Sequence, residues 1–223
     1  NFNPTTAGQI TVTGGVGNAN GLINAGAGEN VTYNGNGATN NDVTVNINQI
    51  TGNNTGDGNV VAITTLAGLT VGPFTSTGNA AFTATGVGSN VSTSGDITSA
   101  GTLTLDAGSG DANVVVNANN DLQGTAVTLV SGTGANALVS VADGADITAT
   151  TGNVSITTPR LNMNPTGAAE TNSINATLGS ITISQPNAAA LVVDMDTNSS
   201  INATAAGQDI TFNGTGITMN NAG

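Results

Sequence analysis

The sequence predicts an all-β parallel β-helix, and three observations carry that prediction. One phrase is written twice: Ser173-Ile174-Asn175-Ala176-Thr177-Leu178-Gly179-Ser180-Ile181-Thr182-Ile183 is followed by Ser200-Ile201-Asn202-Ala203-Thr204-Ala205-Ala206-Gly207-Gln208-Asp209-Ile210-Thr211-Phe212. The phrase recurs upstream, so that Ile97, Leu122, Ile147, Ile174 and Ile201 are spaced 25, 25, 27 and 27 residues apart, inside the range of stacked repeats. Between corners rich in Gly, Asn and Asp, β-branched residues alternate with polar ones, the period of a strand.

Each regular repeat divides into three short strands. The lead strand begins at one of the five apolar residues above. The second holds Leu103/Leu105, Val127/Leu129, Val154/Ile156, Ile181/Ile183 and Ile210/Phe212. The third is Asn113–Val116, Ala137–Val141, Leu161–Met163, Ala190–Val193 and Ile217–Met219. Three strands per ~26-residue rung form one coil, and a rung buries its apolar face only against rungs above and below. Side-chain alternation then places Ile97, Leu122, Ile147, Ile174 and Ile201 inward, followed by a small column of Ser99, Gly124, Ala149, Ala176 and Ala203. Outward stands a hydroxyl column of Thr104, Thr128, Ser155, Thr182 and Thr211.

Residues 96–223 read as regular rungs and 1–95 as less regular ones, all in a single solenoid domain. Gly21–Tyr33 is a fair copy; Asp42–Ile47, Val60–Ile63, Leu69–Val71 and Ala80–Thr83 are further strand-like runs. Roughly eight or nine rungs are expected, about 40 Å long at a spacing of ~4.8 Å.

Composition narrows the function. With 13 acidic residues, one arginine and neither lysine nor histidine, the net charge is −12. Nucleic-acid affinity comes mostly from Lys and Arg on phosphates, so neither nucleic acid nor an anionic membrane is an expected partner. No apolar run reaches the ~20 residues of a membrane span, and the absence of cysteine removes disulfides and thiolate metal sites. The start at Asn1 without Met is read as a processed chain or a section of a longer one.

The repeats Gly179-Ser180-Ile181-Thr182-Ile183 and Ser-Ile-Asn-Ala-Thr at 173–177 and 200–204 resemble those of the filamentous haemagglutinin class of bacterial exoproteins. The resemblance covers most of the chain, best from Asp96 to Met219. It implies a long right-handed parallel β-helix, secreted or at the cell surface, that acts as the shaft of an adhesin. The expected partners are then a host or neighbouring cell surface, a glycan, or copies of the chain stacked end to end. Only Asn3-Pro4-Thr5 and Asn164-Pro165-Thr166-Gly167 come near the secretion-domain motifs of that class, without their context, which marks this stretch as shaft. Members of the class glycosylated at Asn-x-Ser/Thr direct attention to Asn30, Asn53, Asn90, Asn153, Asn175, Asn198, Asn202 and Asn213.

Two acidic groupings are candidate Ca²⁺ sites. Asp96, Asp121 and Asp146 take the same outward position in successive rungs, where like charges at ~5 Å repel unless the strands splay or a cation sits between them. Asp194-Met195-Asp196-Thr197-Asn198 opens like a calcium loop, with Asp194, Asp196 and Asn198 as ligands, but Ser199 and Ala205 stand where the turn glycine and the bidentate glutamate belong. A polar corner is the plainer reading. Asn53–Val60 echoes a calcium-binding nonapeptide once. Polysaccharide-active enzymes also use this fold, but with one Tyr, four Phe, no Trp and no His or Lys, the chain is not expected to be an enzyme. An ice-binding face needs threonine pairs in register, and Thr102/Thr104 and Thr148/Thr150 do not repeat so. Two readings remain, an adhesin shaft and a self-assembling extracellular filament or surface-layer subunit.

Overall fold

A computed structural model describes residues 68–163 and 170–222, together with the backbone of six earlier strands. Those are β1 (Gln9–Thr13), β2 (Gly21–Asn24), β3 (Asn30–Gly35), β4 (Val43–Asn46), β5 (Gln49–Asn54) and β6 (Val60–Thr64). β7 (Gly68–Ser76) and β8 (Ala80–Ala84) make the next turn. From there each turn has three strands. They are β9 (Asn90–Thr93), β10 (Ile97–Ser99), β11 (Leu103–Asp106); β12 (Val114–Val116), β13 (Leu122–Gly124), β14 (Val127–Val130); and β15 (Leu138–Val141), β16 (Asp146–Ala149), β17 (Val154–Thr157). Then come β18 (Arg160–Met163), β19 (Asn172–Ala176), β20 (Ile181–Ser184); β21 (Ala190–Asp196), β22 (Ser199–Ala203), β23 (Ile210–Asn213); and finally β24 (Gly216–Ala222). The stretch from β7 to β23 is about six turns of a parallel β-solenoid, and β1–β6 extend its sheets.

Every pairing is parallel and joins a strand to its counterpart one turn away. One sheet runs β2-β4-β6-β8-β11-β14-β17-β20-β23; the other holds the remaining strands. The register is the one the repeats specify. Ile97 faces Leu122, Leu122 faces Ile147, Ile147 faces Ile174 and Ile174 faces Ile201. The first four are completely buried. In the second sheet Leu103, Val127, Val154, Ile181 and Ile210 are successive partners, as are Leu105, Leu129, Ile156, Ile183 and Phe212. A third column, Val91, Val114, Val139, Leu161, Val193 and Met219, closes the core. A one-residue slip in any strand would turn its apolar set to solvent, so the three columns lock one another.

The three-strand pattern begins at a bulge. β7 is a continuous nine-residue strand whose first half pairs with β9 and whose second half pairs with β10. Its own pairing with β5 shifts register between Ile50 and Gly52, opposite Gly72-Pro73. Pro73 has no N–H to lose and fits a bulge. In the next turn Gly95 lies over that ring, where an added Cβ would come within 2.4 Å of Pro73 Cγ. The bulge thus widens into the corner that separates β9 from β10. Phe74 and Phe82 fill the core at this level, edge to face at 5.4 Å.

The chain's one cationic side chain also marks its one tryptic bond, Arg160–Leu161. Leu161 is completely buried in β18, which is paired on both sides. Native protein is therefore expected to survive trypsin intact and, once denatured, to give two fragments from a single cut. Cleavage at this bond under native conditions, read by mass spectrometry, would contradict the packing of β18.

Candidate functional site

The acidic stripe is built from the corners. Asp96 and Asp121 immediately precede β10 and β13, and Asp146 opens β16. At this position the backbone N–H lies outside the strand ladder, and the carboxylate one turn earlier accepts it. The Asp121 N–H donates to Asp96 Oδ1 at 2.9 Å, and the Asp146 N–H donates to Asp121 Oδ1 at 3.0 Å. The Ser173 hydroxyl ends the series on Asp146 Oδ1 at 2.5 Å. Charge-assisted bonds of this kind are the stronger class, and they offset the like-charge repulsion that the sequence raises. Asp96 and Asp121 each serve the next turn's backbone, and Asp146 serves a hydroxyl. Among the described residues, no three His, Cys, Asp or Glu side chains gather as a metal-binding group.

The same device recurs at other corners. Asn79 Oδ1 accepts from the Thr102 N–H, Asn90 Oδ1 from Asn113, Asn113 Oδ1 from Leu138 and Asn153 Oδ1 from Ser180, at 2.7–3.0 Å. Asp111 takes both the N–H and the side-chain amide of Asn136. In each bond the acceptor belongs to one turn and the donor to the next. Sequence reasoning missed this ladder, although its signal is present: an Asn or Asp stands directly before the first apolar residue of β8, β9, β10, β12, β13 and β17. A second set of polar groups points inward. Thr93, completely buried, accepts from the Asn117 N–H and from Asn120 Nδ2. Asn172 Nδ2 donates to the Val141 carbonyl at 2.8 Å, and the Ser199 hydroxyl donates to the Met163 carbonyl.

The Asp194–Asn198 run is not laid out as a loop. Asp194 and Asp196 both lie within β21, and only Thr197 and Asn198 turn the chain into β22. Asp194 Oδ2 pairs with Arg160 Nη2 at 3.4 Å, and its Oδ1 accepts from Asn220 Nδ2 at 2.5 Å. Asp196 Oδ1 accepts from the Asn198 N–H at 2.9 Å and the Ser199 hydroxyl at 2.8 Å. The two carboxylates therefore serve different partners: Asp194 joins adjacent turns and Asp196 holds the turn into β22. The nonapeptide-like Asn53–Val60 and the Asn-Pro stretches at 3–5 and 164–167 lie largely outside the described residues.

The hydroxyl column stands in register on the outer face of the nine-stranded sheet, Thr104 to Thr128, Ser155, Thr182 and Thr211. Its neighbour column on that face reads Asp106, Val130, Thr157, Ser184 and Asn213. Among the described residues of these two columns, hydroxyls pair in only two adjacent turns, Ser155/Thr157 and Thr182/Ser184. Asp106 sits between Thr83 and Val130, and partial burial there raises its pKa above the usual value of 3.8. At the last turn Val193, Met195, Asp196, Met219 and Asn220 line a cavity of about 260 Å³.

Two predictions test this account. Replacing Asp121 by Ala strips the Asp146 N–H of its acceptor and is expected to cost about 1 kcal/mol in denaturant unfolding. Asp121→Asn, which keeps an oxygen in place, is expected to fold as stably as the parent. For Asp106 the folded pKa lies above the unfolded one, so its contribution to stability is greatest below the unfolded pKa. It declines as pH rises through the folded value, because the unfolded chain ionises first. Asp106→Asn should therefore raise the unfolding midpoint at neutral pH, and this gain should vanish near about pH 3. A gain of equal size at both pH values would refute the burial cause.

No family model, curated protein or solved structure matches this chain, so its functional reading rests on its own residues.

Proposed function

We propose that the chain is an extracellular structural element, a section of the shaft of a bacterial surface adhesin. The observation that carries this reading is the continuity of the stack: three apolar columns stay in register from β9 to β24, with an Asn/Asp ladder at its corners. Such a rod gains length by adding turns, each stabilised mainly by its neighbours. Ion pairing adds little to its cohesion. The Arg160–Asp194 pair leaves the arginine side chain 42% exposed, a setting in which ion pairs contribute little. A surface almost without Lys and Arg also offers few sites to trypsin-like proteases, which suits secretion.

A second reading is end-to-end stacking of copies into a filament or surface layer; it draws on the repeat register, in which each turn pairs with a like turn through parallel strands. Electron microscopy separates the two. The shaft reading expects short monomeric rods of about 40 Å for the nine-stranded sheet, unchanged by concentration. Fibres that lengthen with concentration favour self-assembly, and compact particles without a long axis exclude both.

A further inference from the structure

We propose that the corner where β21 turns into β22 binds a hard cation of the calcium class, through one carboxylate and neutral oxygens drawn from successive turns. This goes beyond the shaft reading and does not depend on it. The observation that points to a ligand is Asn172, the first residue of β19. It is completely buried, its Nδ2 donates to the Val141 carbonyl at 2.8 Å, and its Oδ1 has no hydrogen-bond partner. Among the described residues it is the one buried side-chain oxygen or nitrogen left so. Buried polar atoms are nearly always satisfied, and an orphan marks a place for a water or an ion. A carboxamide is planar with its nitrogen and oxygen pointing apart. Tying Nδ2 to the preceding turn therefore directs Oδ1 away from it, to the side where Ser199, the register partner of Asn172, opens β22.

The corner is short of protons. The Ser199 hydroxyl faces two acceptors, the Met163 carbonyl and Asp196 Oδ1, the latter at 2.8 Å, and it has one proton to give. Whichever it serves, the other oxygen faces Oγ with no proton between them. Two turns earlier the equivalent corner is balanced: Thr93 Oγ1 accepts from the Asn117 N–H at 3.0 Å and from Asn120 Nδ2 at 2.9 Å. A cation is favoured over a water because the set includes a full negative charge, and the chain's one arginine is committed to Asp194. Carboxylate, backbone carbonyl and amide oxygens are ligands calcium takes, with waters completing its shell. Asp196, Met163 and Asn172 supply one of each, and Ser199 Oγ lies among them. The place lacks the acidic cluster of a calcium loop, and Asp194 does not belong to it, being held by Arg160 and Asn220.

The test is titration of the full 223-residue chain with CaCl₂, read by calorimetry and by thermal unfolding, with MgCl₂ at matched ionic strength as the control. The expected result is one Ca²⁺ per chain with a Kd of about 10⁻⁴–10⁻³ M, the range of extracellular calcium modules, and an unfolding midpoint that rises with Ca²⁺ more than with Mg²⁺. Asp196→Asn keeps Oδ1, and with it the bonds to Asn198 and Ser199, so it is expected to fold; it should weaken binding about tenfold or more. Asn172→Asp places a second carboxylate at the orphan position and should tighten binding by a similar factor. Asp121→Asn, in the acidic stripe, should leave it unchanged. Neither heat nor a midpoint shift at about 10 mM Ca²⁺ means that water alone occupies the corner and overturns the proposal. So does binding that survives Asp196→Asn, that is lost in Asp121→Asn, or that Asn172→Asp leaves as it was. None of these outcomes bears on the rods expected in the microscope, so the shaft and the cation site fail separately.

Discussion

Parallel pairing between successive turns is the constraint on which the rest of the molecule depends. One turn of three short strands cannot bury its own apolar residues; they are covered only when the next turn places matching residues over them. That requirement fixes the spacing of Ile97, Leu122, Ile147, Ile174 and Ile201, because each must face its counterpart. It also explains why length can vary at corners and not in strands. The corner between β12 and β13 differs in length from the one between β21 and β22, while the strands they join keep their register.

Corners impose the opposite demand, since there the chain leaves the ladder and its N–H groups lose strand partners. The Asn/Asp column gives those donors partners in the neighbouring turn, in bonds that lie mostly at the surface and contribute on the order of 1 kcal/mol each. The glycines answer a related problem of space. Gly179 stacks on Gly152 so closely that an added Cβ would lie 2.1 Å from the Gly152 carbonyl oxygen. Gly108 meets Gly86 in the same way, at 1.9 Å. An unusual composition, rich in Gly, Asn and Thr and poor in charge, is thus what a tightly stacked rod with polar corners demands. The net charge of −12 is tolerated because several of its carboxylates are acceptors for backbone donors.

The apolar columns were legible in the sequence because alternation and a near-constant period encode them twice over. The corners were legible only as corners. That Asp96 and Asp121 hold the next turn's amide depends on which backbone N–H escapes the ladder, a property of pairing geometry that no spacing rule states. For the same reason the Asp194–Asn198 run reads as a calcium loop by letter, whereas its first three residues are strand and its two carboxylates face different partners. The merging of two strands into β7 was hidden because a bulge at Gly72-Pro73 looks, in sequence, like any turn.

The candidate site is therefore best understood as cohesion. Asp96, Asp121, Asp146 and Asp194 each bond across a turn boundary. Their bonded oxygens accept from the backbone, a hydroxyl, an amide or the single guanidinium of the neighbouring turn. These bonds recur along the stack as the turns do. The corner bonds run along the same axis as the backbone ladders and repeat with the same period as the core.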